Sequence, residues 1–385
     1  MNVELTTTRM VAGGDALGRA ADGRVVLVDG ALPDERVRIE VLADRADHVR
    51  GRVLEVLHAS PARIEPPCPH ARAGCGGCGW QHVALERQRA FKRDIITDAL
   101  HRIAHIDDAP LEPTVELPPD GYRTTVRALV VNGRPALRQH HAHIPIAIEH
   151  CMVAHPLVDD VLHNGRFGEA DEITVRASAT TGERCVIVDP PSAAISVPAD
   201  VQIGASSAIH EVVDGVRFRI AAPSFFQTRT DGAAALAGLV RAAVGPNRVV
   251  ADLYCGVGLF AALLDAPRRV VAVERGRAAA ADARHNLRDL PVRVIRADVA
   301  TWRPVEVEVV VADPSRSGLG RAAARKVLGC EPERIVLVSC DAASLARDVA
   351  LLRDGGYEVQ SITPVDLFPH TPHVECVTAM ERSVL

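Results

Sequence analysis

Lysine is almost missing from this chain. Of its 44 basic residues only Lys92 and Lys326 are lysines, and the rest are arginines. With alanine abundant as well, this reads as a GC-rich coding bias rather than as function. Aromatic residues make up 3% of the 385 residues. No run of 18 apolar residues occurs, so no membrane-spanning helix is expected. The opening Met1–Met10 carries no charged stretch followed by an apolar one, so no secretory leader is expected and the cytoplasm is the expected compartment. An excess of positive charge is also lacking: 49 acidic residues give a formal net charge of −5. A bulk polycation is thereby excluded, and any anionic partner must meet a local basic surface.

Glycine and proline, 28 and 25 residues, are near average usage, and 48% hydrophobic with 24% charged is a globular composition. The length suggests two or three domains. Nine cysteines do not make a secreted disulfide framework in a chain of this size. In a reducing compartment they read as metal ligands, nucleophiles or core residues. No obligate protein partner is expected.

Residues 1–58 read as short strands with tight turns, among them Arg24–Asp29, Arg36–Leu42 and Gly51–Leu57, which suggests a small closed barrel of the OB kind. Residues 59–220 open on a cysteine cluster, continue through a helical period over Val83–His101, and become β-rich, as in Tyr122–Val131 and Arg184–Val188. Residues 221–385 alternate strand and helix, which implies a parallel, doubly wound sheet. Its strand candidates are Arg248–Leu253, Arg269–Glu274, Val292–Asp298, Val307–Asp313 and Arg334–Cys340, with a closing hairpin from Tyr357–Val365 and His373–Glu381. Ligand groups should gather at the carboxyl ends of those strands.

Chemistry-bearing residues fall at those ends. Asp252-Leu-Tyr-Cys-Gly256-Val-Gly258 follows the first strand, where glycines let a ligand approach the backbone. Glu274 ends the second strand and can accept both hydroxyls of a ribose; Asp298 ends the third, near an adenine. The loop also fits G-x-G-x-x-A, so a dinucleotide is possible, but the acidic Asp252 favours S-adenosylmethionine, which brings no pyrophosphate. Asp313-Pro-Ser-Arg316 follows the fourth strand and Cys340 the fifth. A thiol there is either a core residue or a nucleophile, and Glu375, late in the chain, is either a surface charge or a general base. Taken together they suit one reaction. Uracil C5 is a poor nucleophile, a thiolate adding at C6 makes it electron-rich, and a base must then remove the C5 proton. The target base is expected to be flipped out of its stack. The remaining Cys185, Cys255, Cys330 and Cys376 are read as structural.

These segments resemble the S-adenosylmethionine-dependent RNA 5-methyluridine methyltransferases: Phe225-Phe226-Gln227, ADLYCGVGLF, AVERG, DPSRSGLG, VSCDAASLARD and LFPHTPHVEC, spread over residues 221–385. Gly13–Leu42 is similar to a TRAM domain, an RNA-binding barrel that heads many members. The resemblance implies Cys340 as nucleophile and Glu375 as the base at C5. It implies Gln227, Tyr254, Gly256, Glu274, Asp298 and Asp313 around the cofactor, and Arg316 at the uracil or its turn. The RNA would be rRNA or tRNA. The chain departs from the family pattern at Ser315, Leu259 and Thr228-Arg229. Readings from other classes are a cytosine C5 enzyme, an amino-methyltransferase using the Asp313 turn, and a non-catalytic RNA-binding protein on the same scaffold.

Cys68, Cys75, Cys78 and the distant Cys151 form a further set. Zinc usually takes paired C-x-x-C knuckles, whereas three clustered cysteines plus one distant one suit an iron–sulfur cluster; zinc or unligated thiols remain the alternatives. Relatives in the resembling family carry a 4Fe-4S cluster on such a pattern, with a first spacing one residue shorter. His70 and His150 are not expected to be ligands. The basic stretch Glu86–Arg93 faces either phosphates or plain solvent.

Overall fold

A computed structural model describes residues 2–191 and 193–383. In the first segment apolar side chains alternate along the strands, so that Leu5, Val26, Val28, Val37 and Ile39 point to one side. The strands Asn2–Met10, Ala16–Arg19, Val25–Asp29, Arg36–Asp44 and His48–His58 curl that side inward. They close a five-stranded barrel in the order first, second, third, fifth, fourth. Buried Glu35 ties the barrel to the chain that follows. Its carboxylate accepts the Leu32 and Ser60 amides and both arms of Arg63, at 2.6 and 2.7 Å.

The middle segment builds a six-stranded sheet. Thr125–Val131 lies between Glu172–Ala177 and Arg134–Arg138, with Arg184–Asp189, Val201–Ile203 and Pro145–Ala147 outside them. The helix Pro156–Asn164 covers it with Val158, Val161 and Leu162. The helix expected over Val83–His101 runs from Leu85 to Ala99 and continues through a wider turn, Leu100–Ala104. Phe91, Ile95, Ile96 and Leu100 join a core shared by the barrel and the C-terminal sheet.

Two basic residues of this helix, Lys92 and Arg89, are held inside the fold rather than presented to solvent or phosphate, while Arg87 stays exposed. Lys92 is buried and donates to Asp366 at 2.8 Å and to the Phe368 carbonyl at 2.9 Å. Arg89 pairs with the same carboxylate and with Glu116. A buried Asp366 needs cations more than the surface does.

The C-terminal sheet has seven strands in the order Val292–Arg296, Arg269–Glu274, Val249–Leu253, Val309–Ala312, Arg334–Ser339, Cys376–Arg382, Tyr357–Pro364. The first five are parallel and the last two form an antiparallel hairpin. Apolar side chains cover both faces, as a sheet between helices requires. Several strands stop one or two residues earlier than the sequence suggested, which leaves Asp298, Asp313 and Cys340 in the loops beyond the ends. No helix among the described residues is long and apolar enough to cross a membrane.

Candidate active site

Cys340 and Glu375 come together through strand register. Ser339 faces Cys376 across the antiparallel ladder. The residue after Ser339 and the residue before Cys376 therefore leave the sheet at the same end. Both line a cavity of 910 Å³ beyond the carboxyl ends of the parallel strands. Gln227, Tyr254, Gly256, Glu274, Asp313 and Arg316 line it too.

The glycine loop forms one wall. Gly256 and Gly258 take φ of 55° and 92°, and Tyr254 is itself left-handed at 64°. A Cβ at Gly258 would lie 2.7 Å from Leu287, so only glycine fits that turn. Glu274 accepts the Gly256 amide at 3.1 Å and the Gly276 amide at 2.5 Å, which holds its carboxylate at the cavity edge. Asp252 lies beneath the loop, fully buried, and accepts the Ala261 amide at 3.1 Å. Asp298 is outside the cavity lining. It accepts the Ala300 amide at 2.9 Å and faces Arg275, which does line the cavity. A short hairpin, Ala208–Val213 and Val216–Ala221, delivers Phe225-Phe226-Gln227 from the other side. Asp282 anchors that approach by accepting the Ala221 amide at 2.8 Å and the Ser224 hydroxyl at 2.6 Å.

Burial dominates the electrostatics. It pushes the Cys340 thiol up to about 12, with the neighbouring Glu375 and Asp313 carboxylates adding to the rise. Burial, then Asp313, also lifts Glu375 well above the usual carboxylate range. Burial alone takes Asp313 to about 7. Arg316 is the cation that opposes the rise at both Cys340 and Glu375. Burial therefore disfavours the anionic form of both groups, and keeps the Cys340 thiol protonated at neutral pH.

Sequence reasoning missed three side chains at this cavity. Arg123 reaches it from the segment just before the strand Thr125–Val131, and nothing near it in the chain marks it. His373 approaches Arg316 at 3.4 Å and is pushed down to about 4, by burial first and then by Arg316 and Arg123. It lies in LFPHTPHVEC, two residues before Glu375. Phe225 lines the cavity and is 65% exposed at its mouth.

Cys68, Cys75, Cys78 and Cys151 line a second cavity, of 680 Å³. They are half-buried. Burial raises the thiols of Cys75, Cys78 and Cys151, Cys78 to about 11. No three of these sulfurs have come within 4.8 Å of one another. Arg123 donates to the Gly77 carbonyl at 3.2 Å. Gly76, Gly77, Arg123 and Thr125 face both cavities and form the wall between them.

Residues 292–383, which hold Asp313, Arg316, Cys340 and Glu375, match the family described as tRNA (Uracil-5-)-methyltransferase. A Streptomyces avermitilis protein named only as an RNA methyltransferase is 35% identical over 96% of this chain and 95% of its own length. The chain belongs to the RNA (uracil-5-)-methyltransferase family. It is an S-adenosylmethionine-dependent RNA methyltransferase. One from Gloeobacter violaceus is 32% identical over 99% of the chain and 96% of its own length. Among solved structures, the Pyrococcus abyssi tRNA (uracil-54, C5)-methyltransferase with bound S-adenosyl-L-homocysteine aligns at a TM-score of 0.73 and 21% identity. The alignment covers 98% of this chain and 100% of that one. The shared fold is a Rossmann-like methyltransferase sheet with an N-terminal five-stranded barrel.

Proposed function

We propose that this methyltransferase methylates C5 of a uridine in tRNA through a covalent bond between Cys340 and C6 of the base. The observation that carries the reading is the convergence of Cys340 and Glu375 at one end of neighbouring strands, beside the glycine loop. Bound S-adenosylmethionine supplies the electrophilic methyl group that C5 accepts. Glu274, Tyr254, Gly256, Gln227 and Asp313 are the residues to hold it, and Glu274, already fixed by two backbone amides, suits the ribose hydroxyls. Asp298 acts at one remove, through Arg275.

Cys340 reacts as the thiolate, its proton released to solvent: Sγ forms a bond to C6, and the electrons of the C5–C6 double bond move toward C5 and the adjacent carbonyl. After C5 is methylated, Glu375 takes the C5 proton, the double bond re-forms, and the Cys340–C6 bond breaks to return the thiolate. Arg316 favours the anionic forms of both groups. Phe225 at the mouth offers a stacking face for a base. Of the two RNA classes considered, the family's description favours tRNA, with rRNA as the competing outcome.

The four cysteines suit a 4Fe-4S cluster. A single zinc ion with bonds of about 2.3 Å draws its sulfurs to about 3.8 Å of one another, whereas no three of these gather within 4.8 Å. A cube of several atoms needs them further apart. Such a cluster would require no redox step here, and its role is to hold the Cys75–Cys78 turn and, through Gly77, Arg123.

The test is trapping. RNA carrying 5-fluorouridine has no C5 proton to lose, so it should remain attached to the protein as a slower band on a denaturing gel. Cys340→Ala should abolish both the band and turnover while S-adenosylhomocysteine still binds. Turnover retained without Cys340 would exclude the covalent route. Trapping by 5-fluorocytidine RNA instead would move the activity to cytosine. Mapping 5-methyluridine in tRNA and rRNA of a deletion strain identifies the target.

A further inference from the structure

The geometry points to a metal site in which Asp29, His140 and His141 hold a divalent cation such as Zn2+ where the barrel meets the six-stranded sheet. Asp29 ends the barrel strand Val25–Asp29, and the two histidines follow the strand Arg134–Arg138. One donor atom from each of the three lies within 4.8 Å of the others, and among the described residues no other His, Cys, Asp or Glu triad does so. His140 Nε2 is 3.1 Å from Asp29 Oδ1. The rings of His140 and His141 are 3.9 Å apart at their centres. Ligands at about 2.0 Å from a tetrahedral ion lie about 3.3 Å apart, so a small closure completes the arrangement.

Sequence neighbours seldom present their rings together. His141 does so with φ of 54°, in the left-handed region. Strain of this kind, about 1–3 kcal/mol, tends to collect at binding sites. The loop is also held in place. His140 donates its amide to the Gly74 carbonyl at 3.0 Å, and Gly76 donates to Arg138 at 2.9 Å. Nearby, His82 has a buried Nε2 with no hydrogen-bond partner. It is close enough to Asp29 for each to act on the other's titration.

Two imidazoles and a carboxylate suit zinc and its neighbours in the first transition series, and differ from the all-sulfur set next door. A cation held there binds only when barrel and sheet are docked, so it stabilises that docking by mass action. The inference does not depend on the chemistry of methyl transfer.

Anaerobically purified, iron-replete protein would be dialysed against Zn2+ and its zinc and iron counted by elemental analysis. One zinc per chain should be retained, and Co2+ in its place should give no sulfur-to-metal charge-transfer band. His141→Gln and Asp29→Asn should each weaken zinc at least about tenfold, since loss of even an outer partner costs that much, with iron unchanged. His141→Gln leaves the His140–Asp29 contact in place, so its melting temperature in chelator should match the parent, while added zinc should raise only the parent's. No retained zinc, retention unaltered by both substitutions, or a sulfur band with Co2+ would each overturn the site.

Discussion

At the scale of single residues, the pocket has more acid than it can ionise. Cys340, Glu375 and Asp313 all sit above their ordinary values, chiefly through burial, and Arg316 is the cation working against the rise at the first two. The sign of the pH effect follows. Both the nucleophile and the base act deprotonated, so single-turnover methyl transfer should climb from pH 6 to 9. Arg316→Met should move that climb to higher pH and slow transfer at neutral pH by about tenfold or more, since each pKa unit is worth a factor of ten in the active form. An unshifted profile would remove Arg316 from this role. Glu375→Gln should let the adduct form and not resolve, leaving natural RNA bound to the protein on a denaturing gel. The sequence makes Cys340 and Glu375 legible because strand ends and late motifs mark them. Arg123 is not legible, because it enters from the segment before the strand Thr125–Val131 and only the folded chain brings it to the cavity.

Among elements, the helix Leu85–Ala99 separates what periodicity reveals from what it hides. Its apolar spacing predicts the helix, and the ends differ by about two residues. The fate of its charges depends on Asp366, which is 274 residues beyond Lys92. Lys92→Ala should leave the buried carboxylate with Arg89 alone and destabilise the fold by about 3 kcal/mol, measured by denaturant unfolding. A loss below about 0.5 kcal/mol, the range of an exposed pair, would return Lys92 to the surface. The glycine loop, by contrast, is legible in sequence almost to the residue, because φ of 92° at Gly258 with Leu287 behind it admits no side chain. Asp252 looks in sequence like a ligand-facing acid. Instead it is buried beneath the loop, bracing the helix start, because its strand turns it inward.

At the scale of the whole molecule, the cores do not follow the order of the chain. Barrel residues such as Val37, the helix residue Ile96 and catalytic-sheet residues such as Leu337 share one apolar cluster, while the six-stranded sheet keeps its own. Sequence periodicity yields the barrel and the doubly wound sheet separately, since each is built from local patterns. It cannot yield their union, which is made by surfaces with no common period. Protein prepared without air should be brown and carry about four irons per chain, as expected for the cluster. Colourless protein with one zinc on the cysteines would replace that reading.

The thin partition of Gly76, Gly77, Arg123 and Thr125 gives the sulfur-lined hollow and the base-modifying hollow a single thickness of chain between them. If the proposed cluster fills the first hollow, its loss in air would remove a support of that partition, so turnover should fade in step with the colour and the methyl marks on a cell's RNA would record how much oxidant it had met.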